Sequence, residues 1–213
     1  IYDEERGIHI GDGLGDKCSR IDSLARVGLR DLEDQYNITG TSDLTFHAVK
    51  QYKECLARYK KENGLMDFTD MLEQYDSKLP VDICIFDEAQ DLSSLQYRMA
   101  IIAATDATEV YVAGDDDQAI FGWAGADVNK FLSLKGETSI LPQSYRVPRS
   151  VHKISLGILS RIKHRYVKPW SPKTAAGSVE HISEEQQIDF SGEGTWMCLA
   201  RSKYMLNRLQ QAV

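Results

Sequence analysis

The chain of 213 residues has no run of about 18 apolar residues, so no segment of it crosses a membrane as a helix. Its first residues, Ile1-Tyr2-Asp3-Glu4-Glu5-Arg6, include no methionine and no apolar stretch of signal-peptide type. They read as the inside of a longer chain, and the 213 residues are expected to be a fragment. Cysteine is sparse: Cys18, Cys55, Cys84 and Cys198 lie far apart, without a C-x-x-C pair, which argues against zinc. The five histidines are scattered as well, and the set suits a reducing, cytoplasmic compartment. A net charge of −7 argues against a nucleic-acid partner at first sight. Yet acidic side chains are missing altogether from 138–179, where Arg146, Arg149, Lys153, Arg161, Lys163, Arg165, Lys168 and Lys173 stand unopposed. Such asymmetry marks either a phosphate-facing surface or a solvated basic helix face.

What is present is an alternation of helical and extended patterns. Residues 21–34 have helical spacing, and Phe46, Val49, Tyr52, Leu56 and Tyr59 give 44–61 one apolar face. Gly64 stops that helix, and Asp67 caps a short one that follows. Cys84 lies in 81–86, an apolar run that fits a strand buried on both faces. Helices are then expected over 94–104, 127–134, 148–162 and 202–209, with strands over 109–113, 139–141, 178–182 and 195–200. Pro148 suits the first turn of its helix. Strands alternating with helices predict an α/β fold with a parallel sheet.

In open α/β sheets ligands sit beyond the carboxyl ends of the strands. The first predicted strand ends on Asp87-Glu88-Ala89-Gln90-Asp91 and the second on Gly114-Asp115-Asp116-Asp117-Gln118. Adjacent carboxylates after an apolar strand are costly unless a cation or water faces them. One of them suits Mg²⁺ as a fixed oxygen ligand, and its neighbour suits proton abstraction from water. The alternative is that both cap the helix that follows. Gln118 suits a γ-phosphate or its attacking water, because it adds no negative charge. Phe121 and Trp123 flank Gly122, either as core plugs or as stacking platforms for unpaired bases. Arg146 suits a guanidinium aimed at a transferring phosphoryl group.

In this order the segments resemble the UvrD/Rep branch of superfamily 1 DNA helicases. Ile85-Phe86-Asp87-Glu88-Ala89-Gln90-Asp91 is similar to the family's Walker B motif, D-E-x-Q-D. Gly64-Leu65-Met66-Asp67-Phe68-Thr69-Asp70-Met71-Leu72 resembles its D-F-D-D-L-L stretch. Residues 114–123 resemble motif III, G-D-x-D-Q-S-I-Y, and Leu141-Pro142-Gln143-Ser144-Tyr145-Arg146 resembles motif IV, L-x-x-N-Y-R. Cys198-Leu199-Ala200-Arg201-Ser202 is similar to a later strand of the second motor domain. The resemblance is strongest over 63–162. It implies an incomplete RecA-like parallel sheet flanked by helices, with an N-terminal helical subdomain. By its layout, 1–63 is that inserted helical subdomain, 64–140 the C-terminal half of the first RecA-like domain, and 141–213 the start of the second. It also implies roles: Asp87 on Mg²⁺, Glu88 as general base, Gln118 coupling the γ-phosphate of ATP to DNA, and Arg146 as arginine finger. Phe121 and Trp123 would lie along single-stranded DNA or a single/double-strand junction.

Three departures stand out. Ala124 occupies a place where the family often has Arg, and Ser144 replaces the usual Asn. The third is the absence of the phosphate loop, G-x-x-x-x-G-K-[ST], whose backbone cradles the phosphates. The nearest stretch, Gly11-Asp12-Gly13-Leu14-Gly15-Asp16-Lys17-Cys18-Ser19, has a displaced lysine and two phosphate-repelling aspartates. Thr45-Phe46-His47 resembles a DNA-contacting Thr-x-His of the family, but its spacing suits an ordinary helix start. The expectation is therefore an ATP-driven DNA helicase or translocase whose 213 residues are inactive alone. The alternatives are a non-catalytic DNA-binding module derived from such a helicase and, less suited to Gln118 and Arg146, a two-metal nuclease.

Overall fold

The computed structural model describes residues 2–3, 7–8, 13–184, 187–192, 194–200 and 202–212. It divides into two compact units, Ile1–Thr138 with His164–Tyr166, and Ser139–Lys163 with Val167–Val213.

The first unit opens on two short antiparallel strands, β1 (Tyr2–Asp3) and β2 (Gly7–Ile8). Residues 9–12 lie outside the described residues, but the rest of the glycine-rich stretch is described and is helical from Leu14 onward, with Gly13 as N-cap, rather than a loop. Then come α1 (Leu14–Val27), α2 (Leu32–Thr39) and α3 (Phe46–Asn63). The helix expected over 21–34 is thus two helices. Gly28 ends the first, Leu29 turns left-handed at φ +53°, and Asp31 restarts the chain as an N-cap for Glu33. Periodicity carried no sign of this break, because both helices use the same apolar spacing. Cys18, Ile21, Leu44 and Val49 form the core of the three helices. Thr45 caps α3 through Ala48 N–H, so Thr45-Phe46-His47 is a helix start, and Gly64 closes the helix at φ +62°.

The short α4 (Phe68–Glu73) carries a reciprocal capping box between Asp67 and Asp70. It is tied back by Arg26, whose guanidinium reaches Asp67, Asp70 and Glu73, while Lys60 reaches Asp67 and Asp70. Burial alone would raise the Asp70 carboxyl, but Lys60 and the Asp67 N–H more than offset that and hold it below its usual range. Thus the D-F-x-D stretch fastens α4 to α1 and α3.

Beyond it, β3 (Ile83–Phe86) pairs in parallel with β4 (Glu109–Val112), Ile83 opposite Glu109 and Phe86 opposite Val112. The crossover is α5 (Ser94–Ala103), capped by Ser93 and packed through Leu95, Tyr97, Ala100 and Ala103. An apolar cleft of about 350 Å³ runs between Phe86, Val110 and this helix. The sheet is not buried on both faces as the apolar run suggested. Cys84 is 7% exposed, but Ile83 and Ile85, on the opposite face, are 53% and 72% exposed. Two strands with one crossover helix leave much of the sheet without a covering layer. The short α6 (Val128–Leu132) follows the aromatic loop.

In the second unit, α7 (Arg149–Leu159) starts directly after Pro148, and α8 (Lys203–Ala212) lies near the end of the chain. The strands expected over 139–141, 178–182 and 195–200 are not formed among the described residues; Arg201 lies outside them. A single parallel bridge, Gln143 to Ser171, is what 139–182 provides. Strand hydrogen bonds are made with a neighbour, so an apolar run becomes a strand only where a partner runs beside it. No helix among the described residues is long and apolar enough to cross a membrane.

Candidate functional site

Parallel pairing sets the carboxyl ends of β3 and β4 side by side, and so joins the two acidic runs. Ala113 N–H donates to Phe86 O at 2.8 Å, and Ala89 N–H donates to Ala113 O at 3.0 Å. Between them the chain turns sharply at Glu88, which sits in the left-handed region at φ +51°, ψ +38°. For a residue with a side chain this conformation costs about 1–3 kcal/mol and persists only where the surroundings enforce it. Here Asp87 Oδ1 accepts the Glu88 N–H, and Tyr97 Oη donates to Ala89 O from α5. Both Asp87 and Glu88 project into solvent at the sheet end.

Gln90 is the hinge pin, a residue to which the sequence assigned no role. It is 1% exposed. Its Nε2 donates to Glu88 Oε2 at 2.8 Å and to Asp91 Oδ2 at 3.2 Å, while its Oε1 accepts the Asp115 N–H at 3.0 Å. One neutral amide thus orients the first acidic run and ties it to the second. Gly114 lets it approach: a Cβ there would lie 2.6 Å from Gln90 Oε1 and 2.9 Å from the Phe131 ring. The signal for Gln90 was its place as the one donor side chain among four carboxylates at 87–91 and 115.

The second run forms a tight turn over Asp116–Gln118. Asp115 accepts the Asp117 N–H at 3.1 Å and Gln118 Nε2 at 2.7 Å. Gln118 is exposed beside the strand end. The next loop is fixed to the start of α5: Asp127 N–H donates to Leu92 O, and Ser94 Oγ donates to Asp127 Oδ2 at 2.8 Å. Gly125, at φ +99°, packs against Val27, where a Cβ would come within 2.6 Å. On this loop Phe121 and Trp123 are 42% and 57% exposed, so neither is a core plug. Their rings, 6.4 Å apart and inclined by 51°, do not stack face to face.

Arg146 belongs to the second unit. Ser144 Oγ accepts the N–H groups of Val147 at 3.1 Å and Arg146 at 3.4 Å, and Ser144 N–H donates to Ser171 O at 2.8 Å. The serine therefore performs the turn-forming work open to an asparagine side chain. Arg146 itself is exposed.

Among the described residues no three His, Cys, Asp or Glu side chains converge as a metal cage. Mg²⁺ asks for less: one or two carboxylates, the remaining positions going to water and phosphate oxygens. Asp87, on a fixed backbone with its carboxylate at the surface, fits that demand.

The UvrD/REP helicase N-terminal domain family matches residues 18–139, which contain both strand ends and the aromatic loop. The chain belongs to this family. It is 27% identical over 176 residues to the ATP-dependent DNA helicase Rep of Buchnera aphidicola, a match covering 73% of this chain and 26% of that protein. DNA helicase II of Haemophilus influenzae is 37% identical over 100 residues, 39% of this chain and 14% of that protein. The ATP-dependent DNA helicase PcrA of Staphylococcus aureus is 28% identical over 130 residues, 57% and 18%. The chain spans about a quarter or less of these relatives. Membership in the UvrD/REP family accounts for the order of the acidic strand ends, and the Gln90 bridge is how this chain assembles them.

Proposed function

We propose that the chain is part of an ATP-dependent DNA helicase or translocase of the UvrD/Rep type, one that moves on single-stranded DNA. The observation that carries this reading is the Gln90 bridge, which holds Asp87-Glu88 and the 115–118 turn together at the ends of two parallel strands. In this proposal the strands belong to a RecA-like sheet. Residues 1–63 are the helical subdomain, 64–140 the second half of the first motor domain, and 141–213 the beginning of the second. Asp87 would hold Mg²⁺, which would supply positive charge to offset that of the phosphates.

Glu88, one residue on, takes the proton of the attacking water. The left-handed backbone and the Gln90 amide aim its carboxylate, so less reorganisation is needed when the proton moves. Gln118 contacts the γ-phosphate or the water without adding repulsion, and Arg146 stabilises the charge that develops on transfer. Phe121 and Trp123 offer exposed faces to successive unpaired bases, and their short loop connects those bases to Gln118.

The test is Glu88→Gln in the intact protein. ATP binding should persist, while single-strand-stimulated hydrolysis falls by about 10²–10⁴-fold, the range of general-base catalysis. Near-normal turnover in this variant would remove Glu88 from the mechanism.

A further inference from the structure

Three carboxylates in a row, Asp115, Asp116 and Asp117, repel one another unless the fold separates them. It does so by turning them in different directions. Asp115 faces inward, accepting Asp117 N–H and Gln118 Nε2. Asp116 and Asp117 face a segment far along the chain. Arg165 Nε and Nη2 donate to Asp117 Oδ1 and Oδ2, both at 2.6 Å, and Tyr166 N–H donates to Asp116 Oδ2 at 2.7 Å. The Arg165 and Asp117 side chains are 14% and 7% exposed, which makes this fork-to-fork pair far better shielded than a surface ion pair.

We propose that Arg165 is a positioning residue for Gln118. Its fork holds Asp117 in one orientation. The backbone of Asp117 is in turn bonded to Asp115, the carboxylate that receives the Gln118 amide. Arg165 thereby determines the direction in which Gln118 is presented at the strand end. Without it, Asp117 loses the planar fork that fixes the orientation of its carboxylate, and the turn is held less firmly. A lysine keeps the charge but supplies no planar fork, so it does not restore the geometry. The inference rests on the ATP-hydrolysis reading above, because Gln118 acts in the reaction only under that reading.

The experiment uses the intact protein with oligo-dT as the activating strand, and measures kcat and KM for ATP in Arg165→Ala, Arg165→Lys, Gln118→Ala and Arg165→Ala/Gln118→Ala. Small misplacements of reacting groups cost up to about 10²-fold in rate, so Arg165→Ala should lower kcat by about tenfold or more. Its KM should stay within about twofold of the wild type, since no contact to the bound nucleotide is removed. Arg165→Lys should resemble Arg165→Ala, and adding Arg165→Ala to Gln118→Ala should cost little more. Hydrogen exchange should speed up at the Gln118 amide, which donates to Asp115 O at 2.9 Å. Wild-type kcat in Arg165→Ala, or a full further loss on the Gln118→Ala background, overturns this inference alone. If the wild-type protein hydrolyses no ATP under activation, the functional reading fails and takes this inference with it.

Discussion

Replacing Gln90 with leucine keeps the side-chain volume nearly constant and removes three hydrogen bonds at once. The losses are unequal. The Asp115 N–H loses a partner that is 1% exposed, and an unpaired buried donor costs about 1–3 kcal/mol. Glu88 is exposed, so its carboxylate recovers water, whereas Asp91 is half-buried with Oδ1 shut off from water; together they add about 1 kcal/mol, most of it from Asp91. The sum is about 2–4 kcal/mol, acting on the link between the two strand ends. Amide exchange reads this directly, because local opening sets the protection of each amide. At about 1.4 kcal/mol per factor of ten, the Asp115 amide should exchange at least about tenfold faster in Gln90→Leu. The Ala113 amide, bonded to Phe86 O within the sheet, should change much less. Asp115 exchange within a factor of about two of the wild type would refute the bridge, since protection would then come from elsewhere.

Arg26→Met should destabilise the first unit by about 3 kcal/mol, the lower end for breaking a buried ion pair, because Asp67 and Glu73 remain partly open to water; a melting curve of the variant checks it. Acid should act on the same cluster. Asp67 and Asp70 are both held below the usual carboxylate range, Lys60 and Arg26 outweighing burial, so they stabilise the fold above the ordinary aspartate pKa. That contribution should fade as pH falls through their lowered values, and an unfolding titration below pH 4 should lose part of its acid slope in Asp70→Asn, the remainder coming from Asp67. Trp123→Ala in the intact protein should weaken oligo-dT binding by about 1–3 kcal/mol, the worth of one stacked base, and unchanged affinity would remove Trp123 from the strand path.

Local chemistry was legible in the sequence because it depends on neighbours a few residues away. Asp67 as a cap, Gly64 as a stop, a helix start at Pro148 (read as its first turn, found as its N-cap) and the two acidic strand ends all follow from backbone geometry and short-range hydrogen bonding. Ordered motifs were enough to place the chain in the UvrD/REP family. Beyond the parallel sheet itself, the sequence could not supply which side chains meet across distance. It suggested strands at 139–141, 178–182 and 195–200, where none forms among the described residues. It suggested a doubly buried sheet, although covering a second face depends on layers that no strand encodes in itself. The acidic run at 87–91 was readable as a pair of carboxylates. Only the parallel register of β3 and β4 decided that Gln90 would join them to Asp115, and only the chain's return at Arg165 decided how Asp117 is held. Side-chain type and spacing determine what a group can do. Which groups meet is decided by packing, because a buried donor takes whichever acceptor the fold brings within reach.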